Sequence, residues 1–202
     1  MIDIDRIRSD TPAASRLAYL HNAGAALMPT AVVAAMKDHI DLESEIGGYA
    51  AADRESDRLD AVYGSVARLL NAAPDEIALM ENATIAWQMA FYALPFRQGD
   101  RILTAEAEYA ANYVAFLQVA KRTGAMIEVV PSDASGELDV HALERMIDER
   151  VKLIAITWIP TNGGLVNPAA AIGRIARANG IPYLLDACQA RPDDGRRRRH
   201  RL

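Results

Sequence analysis

Three polar side chains stand where two apolar runs end. Val151-Lys-Leu-Ile-Ala-Ile-Thr-Trp158 leads into Ile159-Pro160-Thr161-Asn162-Gly163-Gly164-Leu165-Val166-Asn167-Pro168, and Ile181-Pro182-Tyr183-Leu184-Leu185 leads into Asp186-Ala187-Cys188-Gln189. Both runs have the length of buried strands. The segment between them, up to Asn179-Gly180, reads as a helix, so the unit is βαβ with a right-handed crossover. Open parallel sheets bind ligands at the carboxyl ends of their strands, which directs Asn162, Asp186 and Gln189 into one pocket. Asp186 alone reads better as a helix cap or a strand end. With two amide side chains beside it, the reading turns to a ligand group.

A second candidate lies earlier. Residues 77–80, Ile-Ala-Leu-Met, read as a short buried strand, and Glu81-Asn82-Ala83-Thr84 leads from it into a helix over 85–92. A strand, a tight turn of small polar residues and a helix make an anion site, because free amides at the helix N-terminus and the helix dipole favour phosphate. Thr84 adds a hydroxyl donor. Read alone, Thr84 is equally well an N-cap with no ligand.

The elements that must position these groups alternate regularly. The spacing predicts helices over 30–42, with Val32, Val33, Met36 and Ile40 on one face, and over 53–70, with Leu59, Val62, Tyr63, Val66, Leu69 and Leu70 inward. Residues 45–49 between them, ending Gly47-Gly48-Tyr49, form a hinge-like break. Strands follow at 101–105 and 125–130, with helices through 114–121 and over 141–150, the latter capped by Asp139. Residues 1–18 read as a loosely ordered lead-in. Strands alternating with helices imply an α/β fold of three layers, a mostly parallel sheet flanked by helices.

The residues at the strand ends resemble a known family. Thr161-Asn162-x-Gly164-x-Val166-Asn167-Pro168, a helix, then Asp186-x-x-Gln189 is similar to the core of the class V aminotransferases, which include the cysteine desulfurases and related pyridoxal-phosphate enzymes. The resemblance covers about residues 19–190 and implies the large domain of a pyridoxal-phosphate-dependent transferase, incomplete at its C-terminus. It implies pyridoxal 5'-phosphate as cofactor and an amino-acid substrate, undergoing C–S lysis, epimerisation or amino transfer in a homodimer. Asp186 would pair with the pyridine nitrogen, keeping it protonated so that the ring accepts carbanion charge. Asn162 and Gln189 would lie against the phenolic oxygen, and Ala83 and Thr84 would bind the phosphate. The Tyr19-Leu20-His21-Asn22-Ala23 segment is similar to one near the substrate, which places His21 and Asn22 there. Gly47-Gly48-Tyr49 resembles a loop of related lyases and epimerases. By the same resemblance residues 1–50 belong to a small domain and 51–190 to the large one.

Two departures matter. Glu108-Tyr109-Ala110-Ala111-Asn112 stands where the family has a Glu, a pair ending in His, Ala and Asn. By the resemblance Ala110 replaces the His that stacks on the ring, which leaves Tyr109 either to lie against the ring or to hydrogen-bond a substrate. This argues against a cysteine desulfurase proper and toward the lyase, epimerase or transferase branches. The family also forms its Schiff base through a Lys beyond the Asp-x-x-Gln, whereas the only lysines here are Lys37, Lys121 and Lys152. No catalytic residue is therefore assigned, and these 202 residues are expected to be inactive in Schiff-base chemistry.

The end of the chain is of another kind. Six Arg and two Asp make residues 191–202 net +4, so residues 1–190 carry −9 of the total −5. The basic end reads as an arm for nucleic acid, a solvated end or a frame-shifted translation. Permitted codons read one base later give Gly-Gln-Met-Thr-Val-Asp-Val-Ala-Ala-Ile-Gly, which resembles the family's continuation after the Gln, so a frameshift near Ala190 is the reading taken.

Composition agrees with a globular body: 51% hydrophobic, 24% charged and a mean hydropathy of −0.02. No apolar run is long enough to span a membrane, and Met1-Ile-Asp-Ile-Asp-Arg is unlike a signal peptide, so a cytoplasmic protein with no membrane partner is expected. The single Cys188 forms no internal disulfide, and the net charge argues against nucleic acid as main partner. No metal ligand set is assigned. Two rivals stand beside the family reading. One is a nucleotide-binding α/β module, against which the lack of Gly-x-Gly-x-x-Gly counts. The other is a non-catalytic interaction protein using an acidic body and a basic tail. Exposed apolar edges also predict aggregation.

Overall fold

A computed structural model describes residues 3–22, 24–161 and 163–190. The chain divides after Ile77 into two compact units.

The first unit is helical. Helix α1 (Ile4–Ser9) is capped by Asp3, whose Oδ1 accepts the Arg6 amide at 3.0 Å. A short 3-10 turn over Pro12–Ser15 follows, so the lead-in is more ordered than expected. The hydroxyl and amide of Thr30 both donate to the carbonyl of Asp10, the C-cap of α1, which ties the end of that helix to helix α2 (Thr30–Ile46). Helix α2 runs four residues beyond the predicted end and stops at Gly47, whose φ of +84° a residue with a Cβ rarely adopts. The break is that single glycine, because Gly48 already opens helix α3 (Gly48–Arg54). The single helix predicted over 53–70 is interrupted at Glu55, where helix α4 (Ser56–Leu70) begins. The apolar faces read as inward are largely exposed: Val32, Met36 and Ile40 on α2, and Leu59, Val62, Tyr63, Leu69 and Leu70 on α4.

The second unit carries the sheet. The strand expected at residues 77–80 does not form: Ile77 is extended (φ −101°, ψ 128°), but Leu79 and Met80 are exposed and no described strand lies alongside to complete a ladder. Helix α5 (Ala83–Tyr92) starts two residues before the predicted boundary. Then come β1 (Arg101–Ala105), α6 (Ala110–Thr123), β2 (Met126–Val130), α7 (Val140–Met146), β3 (Val151–Thr157), α8 (Ala169–Ala178) and β4 (Tyr183–Asp186). All neighbouring strands are parallel, in the order β2-β1-β3-β4. The expected three-layer α/β architecture is present.

The period-2 alternation of β3 sorts the core onto two faces. Leu153 and Ala155 face Trp87 and Phe91 of α5 and Ala115, Phe116 and Val119 of α6, together with Ile102 of β1. Ile154 and Ile156 face Ala142 and Leu143 of α7 and Ile172 and Ala176 of α8. The chain leaves β1 outward to β2 and then crosses back to β3. The strand order therefore reverses between β1 and β3, and sheets of this kind hold their ligands at such a point, beyond the carboxyl ends of the strands.

The opposite end of the sheet is closed by charge. Arg101, 7% exposed at the start of β1, forks onto the Glu128 carboxylate of β2, pairs with Asp148 at 3.0 Å and donates to the Met146 carbonyl at 2.8 Å. Its hydrogen bonds hold the Glu128 carboxyl below the ordinary glutamate value.

Candidate functional site

Three strands deliver the site. Immediately after β1 the chain turns and Glu108 folds back over it, while β3 ends on Thr157 and β4 on Asp186. Thr157 and Asp186 are register partners in the parallel ladder, so their backbones are held side by side. The Trp158 amide donates to the Asp186 carbonyl at 2.8 Å and continues the ladder one step.

Helix α6 adds Asn112, 2% exposed, one turn after Glu108. Its Nδ2 donates to Glu108 Oε1 and to Asp186 Oδ2, both at 2.9 Å. Glu108 Oε1 also accepts from Thr157 Oγ1 at 2.5 Å and from the Tyr109 amide at 2.9 Å, and Glu108 Oε2 meets the buried Thr104 hydroxyl at 3.3 Å. Burial raises the Glu108 carboxyl above the ordinary value. The hydrogen bonds from Thr157, Asn112 and the Tyr109 amide oppose that shift, and the Asp186 charge adds to it.

Asp186 accepts on both oxygens, Oδ2 from Asn112 and Oδ1 from the Cys188 amide at 3.0 Å. One donor on each oxygen leaves acceptor capacity for a cationic partner at the sheet's edge. The Cys188 bond also shows Asp186 bracing the turn that follows it, a structural duty that accompanies any ligand role.

Helix α5, which packs against β4, presents its N-terminus in the same unit. Its cap is Asn82, whose Oδ1 accepts the Ile85 amide at 3.0 Å, and this corrects the reading of Thr84 as the cap. The first turn of a helix leaves its leading amides without intrahelical acceptors, here those of Ala83 and Thr84. The Thr84 hydroxyl is correspondingly not used in capping.

The remaining residues read from the sequence fall as follows. Gln189 is half-buried in the turn after β4, and Tyr109 stands at the N-cap of α6 with its side chain exposed. Asn162 lies outside the described residues. His21 and Asn22 are exposed in the first unit, where the His21 carbonyl accepts the amides of Gly24 and Ala25. The basic segment 191–202 is likewise outside the described residues. Among the described residues no cluster of three or more His, Cys, Asp or Glu could hold a metal ion, and no helix is long and apolar enough to cross a membrane.

Sequence reading did not assign a role to Glu108, Asn112, Thr157 or Asn167. The first two stand four apart across a strand-to-helix junction, the spacing that stacks side chains on a helix face. Thr157 is a polar residue closing an apolar run. Asn167, 2% exposed, donates from Nδ2 to the Thr157 carbonyl at 2.8 Å and accepts the Leu138 amide at 3.0 Å, while its own amide bonds the Trp158 carbonyl at 2.9 Å. It clamps both ends of the loop that carries Asn162.

Residues 18–194 match the family described as Aminotransferase class-V. A probable cysteine desulfurase of Xylella fastidiosa (strain 9a5c) is 34% identical over 204 residues, covering 94% of this chain and 49% of the relative. A cysteine desulfurase of Dickeya dadantii (strain 3937) is 32% identical over 200 residues, covering 93% and 48%. Among solved structures, the cysteine desulfurase CsdA of Escherichia coli superposes with a TM-score of 0.84 at 29% identity, covering 96% of this chain and 51% of that one. The chain thus spans about half the length of the curated relatives it matches. Those relatives come from the branch that Ala110 argues against, so the missing ring-stacking His does not by itself sort the chain away from them.

Proposed function

This chain belongs to the class V aminotransferase family, and we propose that it carries the pyridoxal 5'-phosphate-binding half of an enzyme that cleaves the carbon–sulfur bond of an amino acid. The observation that carries the reading is the Asp186 carboxylate, set at the tip of β4 and oriented by Asn112. The residues present fit the cofactor: one carboxylate with unused acceptor capacity, and in the same unit a helix N-terminus with free amides and a hydroxyl beside them. When bound, pyridoxal phosphate supplies an electron sink for carbanion charge.

Asp186 holds a proton on the pyridine nitrogen, because a neighbouring carboxylate favours the charged form of a base. The Ala83 and Thr84 amides and the Thr84 hydroxyl bind the phosphate. Gln189 and Asn162 donate toward the phenolic oxygen, and Tyr109 covers the ring where Ala110 cannot. His21 and Asn22 belong to the substrate side, and the active assembly is a homodimer. None of the three lysines follows Gln189, where the resemblance puts the Schiff-base Lys: Lys37 is on α2, Lys121 in the last turn of α6 and Lys152 at the start of β3. These 202 residues therefore bind cofactor without turning over substrate. Ala110 supports a second reading, in which epimerisation or amino transfer replaces C–S cleavage.

The test is a titration of the purified chain with pyridoxal phosphate and with pyridoxal, followed by quenching of Trp87 and Trp158. The phosphate ester binds more tightly, and Thr84→Val narrows the difference. Equal affinity for the two ligands would remove the phosphate site. Alanine released on adding cysteine would overturn the statement that the chain does not turn over.

A further inference from the structure

A carboxylate at the end of a strand turns about two side-chain bonds, and something must fix the direction it presents to a ligand. Asp186 has that something in Asn112. A primary amide carries two N–H bonds at a fixed angle, so engaging one dictates where the other points. In Asn112 one N–H is taken by Glu108 and the other by Asp186. Glu108 cannot swing away, because Thr157, itself 1% exposed, and the Tyr109 amide hold the same oxygen. Thr157 belongs to the strand that pairs with Asp186. The chain of bonds closes on itself through β3, β4 and α6, with Asn112 and Thr157 buried and Glu108 partly buried between them.

We propose that Asn112, locked by Glu108 and Thr157, is a positioning residue that fixes the Asp186 carboxylate toward the cofactor's ring nitrogen. The inference rests on the pyridoxal-phosphate reading above. Its physical content is pre-organisation: the cost of ordering the carboxylate is met in folding rather than in binding. Partners that orient metal-ligating side chains change affinity by about 10–100-fold when removed, and the low end of that range sets the scale expected for an orienting amide here. The unionised Glu108 serves the lock equally well, since the oxygen that accepts the three donors need not carry charge. An ionised Glu108 would place a second negative charge one amide away from Asp186.

Pyridoxal phosphate affinity of the folded chain is the readout, in a double-mutant cycle on Asn112 and Asp186. Asn112→Ala weakens binding roughly tenfold when Asp186 is present and less than about twofold when Asp186 is already Asn. Glu108→Gln, which keeps the accepting oxygen and can donate to Thr104, binds within about threefold of the unchanged chain, whereas Glu108→Ala behaves like Asn112→Ala. A purely structural Asn112 would lower affinity equally in both backgrounds, and that result overturns the inference while leaving the cofactor reading intact. If Asn112→Ala does not fold, the side-chain amide resonances of Asn112 in the unchanged chain carry the test. Saturation with pyridoxal phosphate shifts them, and their failure to shift overturns the inference. Absence of pyridoxal phosphate binding by the unchanged chain overturns the cofactor reading itself, and the inference with it.

Discussion

Glu108 and Asp186 lie 78 positions apart in sequence and share one amide group, the Nδ2 of Asn112, at 2.9 Å from each carboxylate. The two acids therefore differ in surroundings though they touch the same donor. Glu108 is enclosed by Thr104, Thr157 and Asn112, and Asp186 stands at the sheet's edge.

That contrast gives the stability of the chain a pH dependence. Burial raises the Glu108 carboxyl above its ordinary value of 4.5, so the folded chain holds this proton more tightly than the unfolded one. The contribution is complete below the ordinary value and declines as pH rises through the raised one, by at most about 1.4 kcal/mol per pH unit. Glu108→Gln flattens urea-denaturation midpoints over this window. A variant whose midpoint keeps the parental slope would show that another group titrates.

Arg101 produces the opposite slope at lower pH. Its hydrogen bonds lower Glu128, and those of Arg150 and then Arg101 lower Asp148 to about 2. Depressed carboxyls contribute stability above their ordinary values of 4.5 and 3.8, and that contribution is lost as pH falls toward about 2. Arg101→Met lowers the melting temperature at neutral pH and shrinks the further loss between pH about 5 and about 3. An undiminished acid loss in the variant would assign it elsewhere.

Helix α8 approaches β4 closely at Gly173. A Cβ there would stand 3.2 Å from Cε1 of Tyr183, and that ring is anchored through its hydroxyl, which donates to the Ala169 carbonyl at 3.2 Å. Gly173→Val should cost about 2 kcal/mol of stability through overpacking. Pairing it with Tyr183→Leu should recover most of the loss, and a double variant no better than the single would refute the steric account.

Asn167 predicts a local effect. Asn167→Leu leaves the Leu138 amide and the Thr157 carbonyl without their side-chain partner, at a cost of about 1–3 kcal/mol, and frees the loop between Trp158 and Asn167. Limited proteolysis should then cut within residues 159–166 faster than in the parent. An unchanged cleavage pattern would mean that the loop is held by other contacts.

Much of the second unit was legible because its cause is local. The apolar runs at 101–105 and 151–157 are buried strands, and Asp139 caps α7 through Oδ1 as its residue type implied. Residues 77–80 misled because an apolar run specifies a strand only when a neighbour supplies its ladder. The 53–70 helix was read as continuous because no Gly or Pro marks a break at Glu55, where the backbone leaves the helix at φ −100° and ψ 11°. The Thr84 cap failed for a subtler reason: Asn82 is as good a cap, and spacing alone does not choose between them. Asp186 was legible as a polar residue at a strand tip. Its orientation was not, since Asn112 reaches it across 74 positions and only the fold brings them together.

The central claim is that Asp186 pairs with the ring nitrogen of pyridoxal phosphate. The most direct measurement is the nitrogen-15 chemical shift of ring-labelled pyridoxal phosphate bound to this chain. The account predicts a protonated nitrogen in the unchanged chain near neutral pH, and its loss in Asp186→Ala. An unprotonated nitrogen in the unchanged chain, or a protonated one that survives Asp186→Ala, would contradict it.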